Sequence, residues 1–119
     1  MKLQIVGLID RGKAAKERLY LRVVADANLS FYIVFDTTYT SPDAISNEQR
    51  HAYWFPSTQA RAGDHVVLYT GSGEWSTSRN VDGTTNHFLF WGLDRTIWNK
   101  TGDCAVLFEL NSWQTSRFE

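Results

Sequence analysis

Two Gly-Asp pairs, Gly63-Asp64 and Gly102-Asp103, each open an apolar run, and this punctuation constrains the chain more than any other feature. Glycine takes backbone angles that other residues avoid, and aspartate bonds its own backbone as the chain turns. Between residues 61 and 110 the turns separate three strand-like segments, 65–70, 86–91 and 104–110, with no helical stretch among them. Turn-strand units of this kind predict an all-β, antiparallel β-sandwich.

The first half of the chain reads the same way. Residues 3–9 form a strand with Leu3, Ile5 and Ile9 on one face and Gly7 at a bulge. Residues 17–26 alternate: Leu19, Leu21, Val23 and Ala25 face one way, and Arg18, Tyr20, Arg22 and Asp26 face the other. A period of two over this length signals a strand with one solvated face. Residues 31–39 are rich in aromatic and β-branched side chains, and 51–55 make a short aromatic strand stopped by Pro56. Two long polar stretches, 40–50 (with Pro42 and Asn47) and 71–85, read as loops. About eight strands result, in a single domain over 1–119 that reads as complete, without repeat or linker.

At 119 residues such a chain buries about two-thirds of its unfolded surface, enough for one core without metal or disulfide. A formal net charge of −1 disfavours nucleic acid as the main partner, for which a basic surface is expected. One cysteine, Cys104, excludes an intrachain disulfide framework and favours a reducing, cytoplasmic location. No apolar run approaches the ~20 residues needed to span a bilayer, so no membrane role is expected.

Several segments in order resemble the lamin tail domain, an immunoglobulin-like sandwich. They are Glu17-Arg18-Leu19-Tyr20-Leu21, Leu29-Ser30-Phe31-Tyr32, Trp54-Phe55-Pro56 and Arg61-Ala62-Gly63-Asp64. Tyr69-Thr70-Gly71-Ser72-Gly73 and Trp98-Asn99 leading to Gly102-Asp103-Cys104-Ala105-Val106-Leu107 continue the series. Phe31 stands where the family has glycine, and the usual Asp-x-x-Gly hairpin after the last strand is absent. The resemblance implies an immunoglobulin-like fold and a non-catalytic module that binds a protein partner, without cofactor or catalytic residues.

Catalytic and metal chemistry finds little support in the residues. His51, His65 and His87 lack metal-ligand spacing, and each is expected half-exposed at the start of a strand. Gly71-Ser72-Gly73 fits neither a nucleophile elbow nor a phosphate loop. Cys104 opens an apolar strand, where a thiol is expected inert. A hydrolase or nuclease would need His51, His87 and nearby carboxylates in one pocket.

Of the five tryptophans, Trp54, Trp91 and Trp98 are expected in the core or at its rim. Trp75, in the polar 71–85 loop, either anchors a partner or folds back to cap the sandwich. Arg79 on the same loop, with Arg18, Tyr20 and Arg22, makes a mixed aromatic and cationic binding surface suited to carboxylate, phosphate or base stacking. A homodimer paired through Tyr20, Tyr32 or Phe88, or through the edge segment 51–55, is the remaining alternative.

Overall fold

The computed structural model describes residues 1–42, 44–46 and 50–118; the expected loop residue Asn47 lies outside them. Eleven strands follow in order among the described residues. They are β1 (Leu3–Ile9), β2 (Arg18–Val23), β3 (Ala27–Asn28), β4 (Tyr32–Ser41), β5 (Ala44–Ile45), β6 (Ala52–Trp54), β7 (Gln59–Ala60), β8 (His65–Tyr69), β9 (Ser76–Arg79), β10 (Thr85–Phe90) and β11 (Asp103–Glu109). A single 3-10 turn, Leu29–Phe31, precedes β4, and the protein is all-β apart from it. Among the described residues no helix is long and apolar enough to cross a membrane.

The strands form a five-stranded sheet, β1-β2-β8-β10-β9, and a second sheet in which β4 pairs β11 on one side and β5 and β6 on the other. β3 and β7 make a small separate ladder. Alternation places the core between the larger sheets. Leu19, Leu21 and Val23 of β2, Val66 and Leu68 of β8 and Leu89 of β10 join Tyr32 and Val34 of β4 in one buried cluster. Phe55, Leu29 and Trp98 belong to the same buried cluster.

Several expectations are corrected here. The strand count exceeds eight because short β3, β5 and β7 and the polar β9 lack the apolar runs that mark strands. The ladders are not all antiparallel: β10 runs parallel to β8, since β9 takes the sheet edge and β10 returns between β9 and β8. The expected loop 71–85 therefore carries an edge strand and a turn in which Gly83 has φ of 90°. The bulge expected at Gly7 lies between Ile5 and Gly7, but it reverses the phase of β1. Leu8 consequently packs against the core, and Ile9 pairs with Arg18 on the opposite face.

Both Gly-Asp turns close identically. Gly63 and Gly102 sit at φ of 94° and 89°, in the left-handed region. Asp64 N–H donates to Arg61 O, and its carboxylate accepts from Arg61 N–H at 3.0 Å. Asp103 N–H donates to Lys100 O, and its carboxylate accepts from Lys100 N–H at 2.9 Å.

The tryptophans divide. Trp98 is fully buried, and Trp91 packs edge-on against it at 5.8 Å. Trp54, expected in the core or at its rim, is 49% exposed. The β4–β6 register sets Trp54 opposite Ile33, so the inward position of that strand falls to Tyr53. Tyr32, expected to face outward, is buried, and its hydroxyl donates to Glu109 at 2.5 Å.

Candidate functional site

The outer face of the five-stranded sheet can be read from its register. Residues paired across neighbouring strands share a face. Arg18, Tyr69 and Phe90 therefore form one row, Tyr20, Val67, Phe88 and Ser76 a second, and Arg22, His65, Asn86 and Ser78 a third. Intervening residues Leu19, Leu21, Val66, Leu68 and Leu89 fill the core behind this face.

Contacts within the rows give the face its chemistry. Arg18 Nη1 donates to Asp10 Oδ2 at 2.9 Å and to Lys16 O at 2.7 Å. Its guanidinium also lies over the Tyr69 ring, 5.6 Å from the centroid. The hydrogen bond from Arg18 outweighs burial and holds the Asp10 carboxyl below its ordinary range. Tyr69 and Phe90 stack at 5.1 Å with planes 12° apart. Gly73 leaves room for that stack, because a Cβ there would come within 2.4 Å of the Phe90 ring.

Tyr20 bonds His65 Nδ1 through its hydroxyl. Together with Val67, Phe88, Asn86 and Asp82 they line a shallow concavity of about 360 Å³. Arg22 is exposed, and its side chain makes no ion pair among the described residues. The face thus combines half-buried rings with an uncommitted guanidinium.

The sequence-predicted residues are distributed unevenly over this surface. Arg18, Tyr20 and Arg22 lie side by side on β2. Arg79 is exposed on the edge strand β9 and pairs with Thr85, one position out of phase with Ser76 and Ser78. The pleat therefore aims Arg79 away from Tyr20. Trp75 precedes β9, is 52% exposed and has no ring partner among the described residues. Tyr69, Phe90 and His65 belong to the same face and were not singled out by sequence. Their signal was the alternation Val66/Val67/Leu68/Tyr69 and His87/Phe88/Leu89/Phe90, in which each second residue is an outward one.

The histidines do not assemble into a joint site. His87 Nε2 lies 3.0 Å from Asp64 Oδ2, and both residues are buried, contrary to the expected half-exposed imidazole. A carboxylate only accepts, so Nε2 carries the proton; Nδ1 is buried and finds no partner among the described residues. Burial pushes the Asp64 carboxyl up, but hydrogen bonds from Arg61, His87 and Thr85 outweigh it and hold it below the ordinary range. The pair braces the Gly63-Asp64 turn against β10. His51 instead bonds Asp36 of β4, at 2.6 Å through its backbone N–H and 3.0 Å through Nδ1. No hydrogen bond or ion pair joins His51 to His87 among the described residues.

Cys104 lies opposite Thr37 on β11, half-buried. Burial, and next the neighbouring Asp103 carboxylate, push its thiol up, which disfavours the nucleophilic thiolate. Among the described residues no group of three or more His, Cys, Asp or Glu side chains is placed to hold a metal ion. No family model, no curated protein and no solved structure matches this chain.

Proposed function

We propose that this chain is a non-catalytic binding domain that takes up an acidic segment of a protein partner on the outer face of its five-stranded sheet. The observation carrying this reading is the row structure just described: Tyr20 stands next to Arg22 along β2, Phe88, Tyr69 and Phe90 extend the same face away from it, and the charge of Arg22 is unpaired among the described residues. Aromatic side chains with an arginine beside them are the usual anchors of protein interfaces. An acidic segment meets the charge of Arg22, and its apolar side chains cover the rings. The resemblance of its turn and strand motifs to the lamin tail domain supports an immunoglobulin-like sandwich, the single cysteine supports a reducing, cytoplasmic location, and Trp75 borders the contact surface beside β9.

The test is comparative capture from native lysate with the wild-type chain, Arg22→Ala and Tyr20→Ala as baits. The reading expects the wild type to retain a protein that both folded variants lose. Equal recovery by all three contradicts it.

A second reading, self-association, draws on the outer face of the other sheet. There Trp113 packs against Phe31 at 5.3 Å and Trp54 at 5.4 Å, and Phe35 meets Phe108 at 5.1 Å. Trp54, Trp113, Phe31 and Phe108 all remain exposed. Light scattering showing a concentration-dependent dimer, abolished by Phe108→Ser, supports this reading; a monomer at millimolar concentration excludes it.

A further inference from the structure

Away from that face, a cleft of about 390 Å³ opens between the end of β4 and the 95–103 segment. Three cationic side chains, Arg50, Arg95 and Lys100, line it together with His51, Asp36 and Asp103. The two carboxylates are turned to internal duties. Asp36 is buried and spends both oxygens on His51, on the backbone N–H and on Nδ1. Asp103 is buried as well and accepts from Thr38 Oγ1 at 3.1 Å and Lys100 N–H at 2.9 Å. Arg50 reaches Asp103 only at 3.8 Å and is largely solvated.

Arg95 and the Lys100 ammonium make no ion pair or side-chain hydrogen bond among the described residues. His51 is oriented from behind, because Asp36 must receive the Nδ1 proton and Nε2 is left without a partner among the described residues. The cleft therefore presents more cationic charge than its carboxylates neutralise, on a chain whose overall charge is −1.

We propose that this cleft binds the terminal phosphoryl group of a small phosphomonoester. A phosphoryl dianion has three free oxygens, which match several separate cationic donors better than the two oxygens of a carboxylate do. The volume suits a small ligand. A polymer would require a basic track running beyond one cleft.

The experiment is a titration of the full chain followed by ¹⁵N–¹H correlation spectra at constant ionic strength. Inorganic phosphate is one arm. Dimethyl phosphate, with the charge and shape of a nucleic-acid or lipid linkage, is the other. Phosphate is expected to shift the amides of His51, Thr96, Asn99 and Lys100 saturably, with dimethyl phosphate about fivefold weaker or more. The double variant Arg95→Gln/Lys100→Gln alters only exposed side chains, so its spectrum stays dispersed while affinity falls about tenfold or more. Absence of saturation by about 50 mM phosphate, unchanged affinity in the double variant, or equal binding of dimethyl phosphate overturns the proposal.

Discussion

Replacing Glu17 tests how the two halves of the chain are held together. Its carboxylate is fully buried just before β2, yet it makes no ion pair among the described residues. Oε1 accepts from Ile97 N–H at 2.9 Å, and Oε2 accepts from Gly12 N–H at 2.7 Å and Trp98 N–H at 3.2 Å. One side chain thus ties the first turn to a segment 80 residues away, beside the buried Trp98. Removing it orphans two buried N–H donors and one half-buried donor. At about 1–3 kcal/mol per buried orphan, with less for Gly12, Glu17→Ala should cost about 4 kcal/mol. For a domain of this size that corresponds to a fall in Tm of roughly 12–20 °C. Glu17→Gln should recover little, because its amide NH₂ must face at least one N–H donor whichever way it turns. Urea midpoints at constant m-value, with thermal melts, give the number. A loss under about 1 kcal/mol for either variant would refute the reasoning, since the three bonds would then be dispensable.

Trp75→Ala and Arg79→Ala remove exposed side chains without partners among the described residues, so each should change stability by about 0.5 kcal/mol or less; Trp75→Ala should weaken partner capture, and Arg79→Ala, turned away from the proposed face, should leave it unchanged. A fall in Tm above about 5 °C for Trp75→Ala would make it a structural residue instead. Burial, helped by the hydrogen bond to Glu109, pushes the Tyr32 hydroxyl from 10.0 up to about 12. The folded form then keeps its proton while the unfolded form loses it, so stability should decline from pH 10 to about 12 and the slope should flatten in Tyr32→Phe. Asp64 works in the opposite sense. Its folded carboxyl titrates below the ordinary 3.8, so the unfolded chain takes up the proton first and stability is lost as pH falls below that value. Urea midpoints across the acid range should show a shallower loss for Asp64→Asn.

The parts of this fold legible in the sequence are those set by local chemistry. The alternation of β2 located Arg18, Tyr20 and Arg22 outside and Leu19, Leu21 and Val23 inside, and Gly-Asp marked both turns. Edge strand β9 was invisible because Ser76, Thr77, Ser78 and Arg79 are solvated on both faces, leaving no apolar period to read. Parallel pairing of β8 with β10 depends on which strand returns to the sheet interior, and no local residue encodes that. The phase of β6 is equally non-local: Ala52-Tyr53-Trp54 offers two aromatics on opposite faces, and only pairing with β4 selects Tyr53 for the inside. Glu17 and His87 find partners 80 and 23 residues distant, so their buried roles follow from topology alone. Tyr69 and Phe90 were hidden within strands whose aromatic content suggested a core. The sheet is solvated on one side, and half of that content faces out.

Radical footprinting of the captured complex against the free chain tests the location of the binding surface most directly. Protection should fall on Tyr69, Phe88 and Phe90, leaving Trp54, Phe108 and Trp113 as reactive as before. Protection confined to those three residues of the other sheet, with the first group unchanged, would place the partner on the wrong side of the molecule and contradict the account.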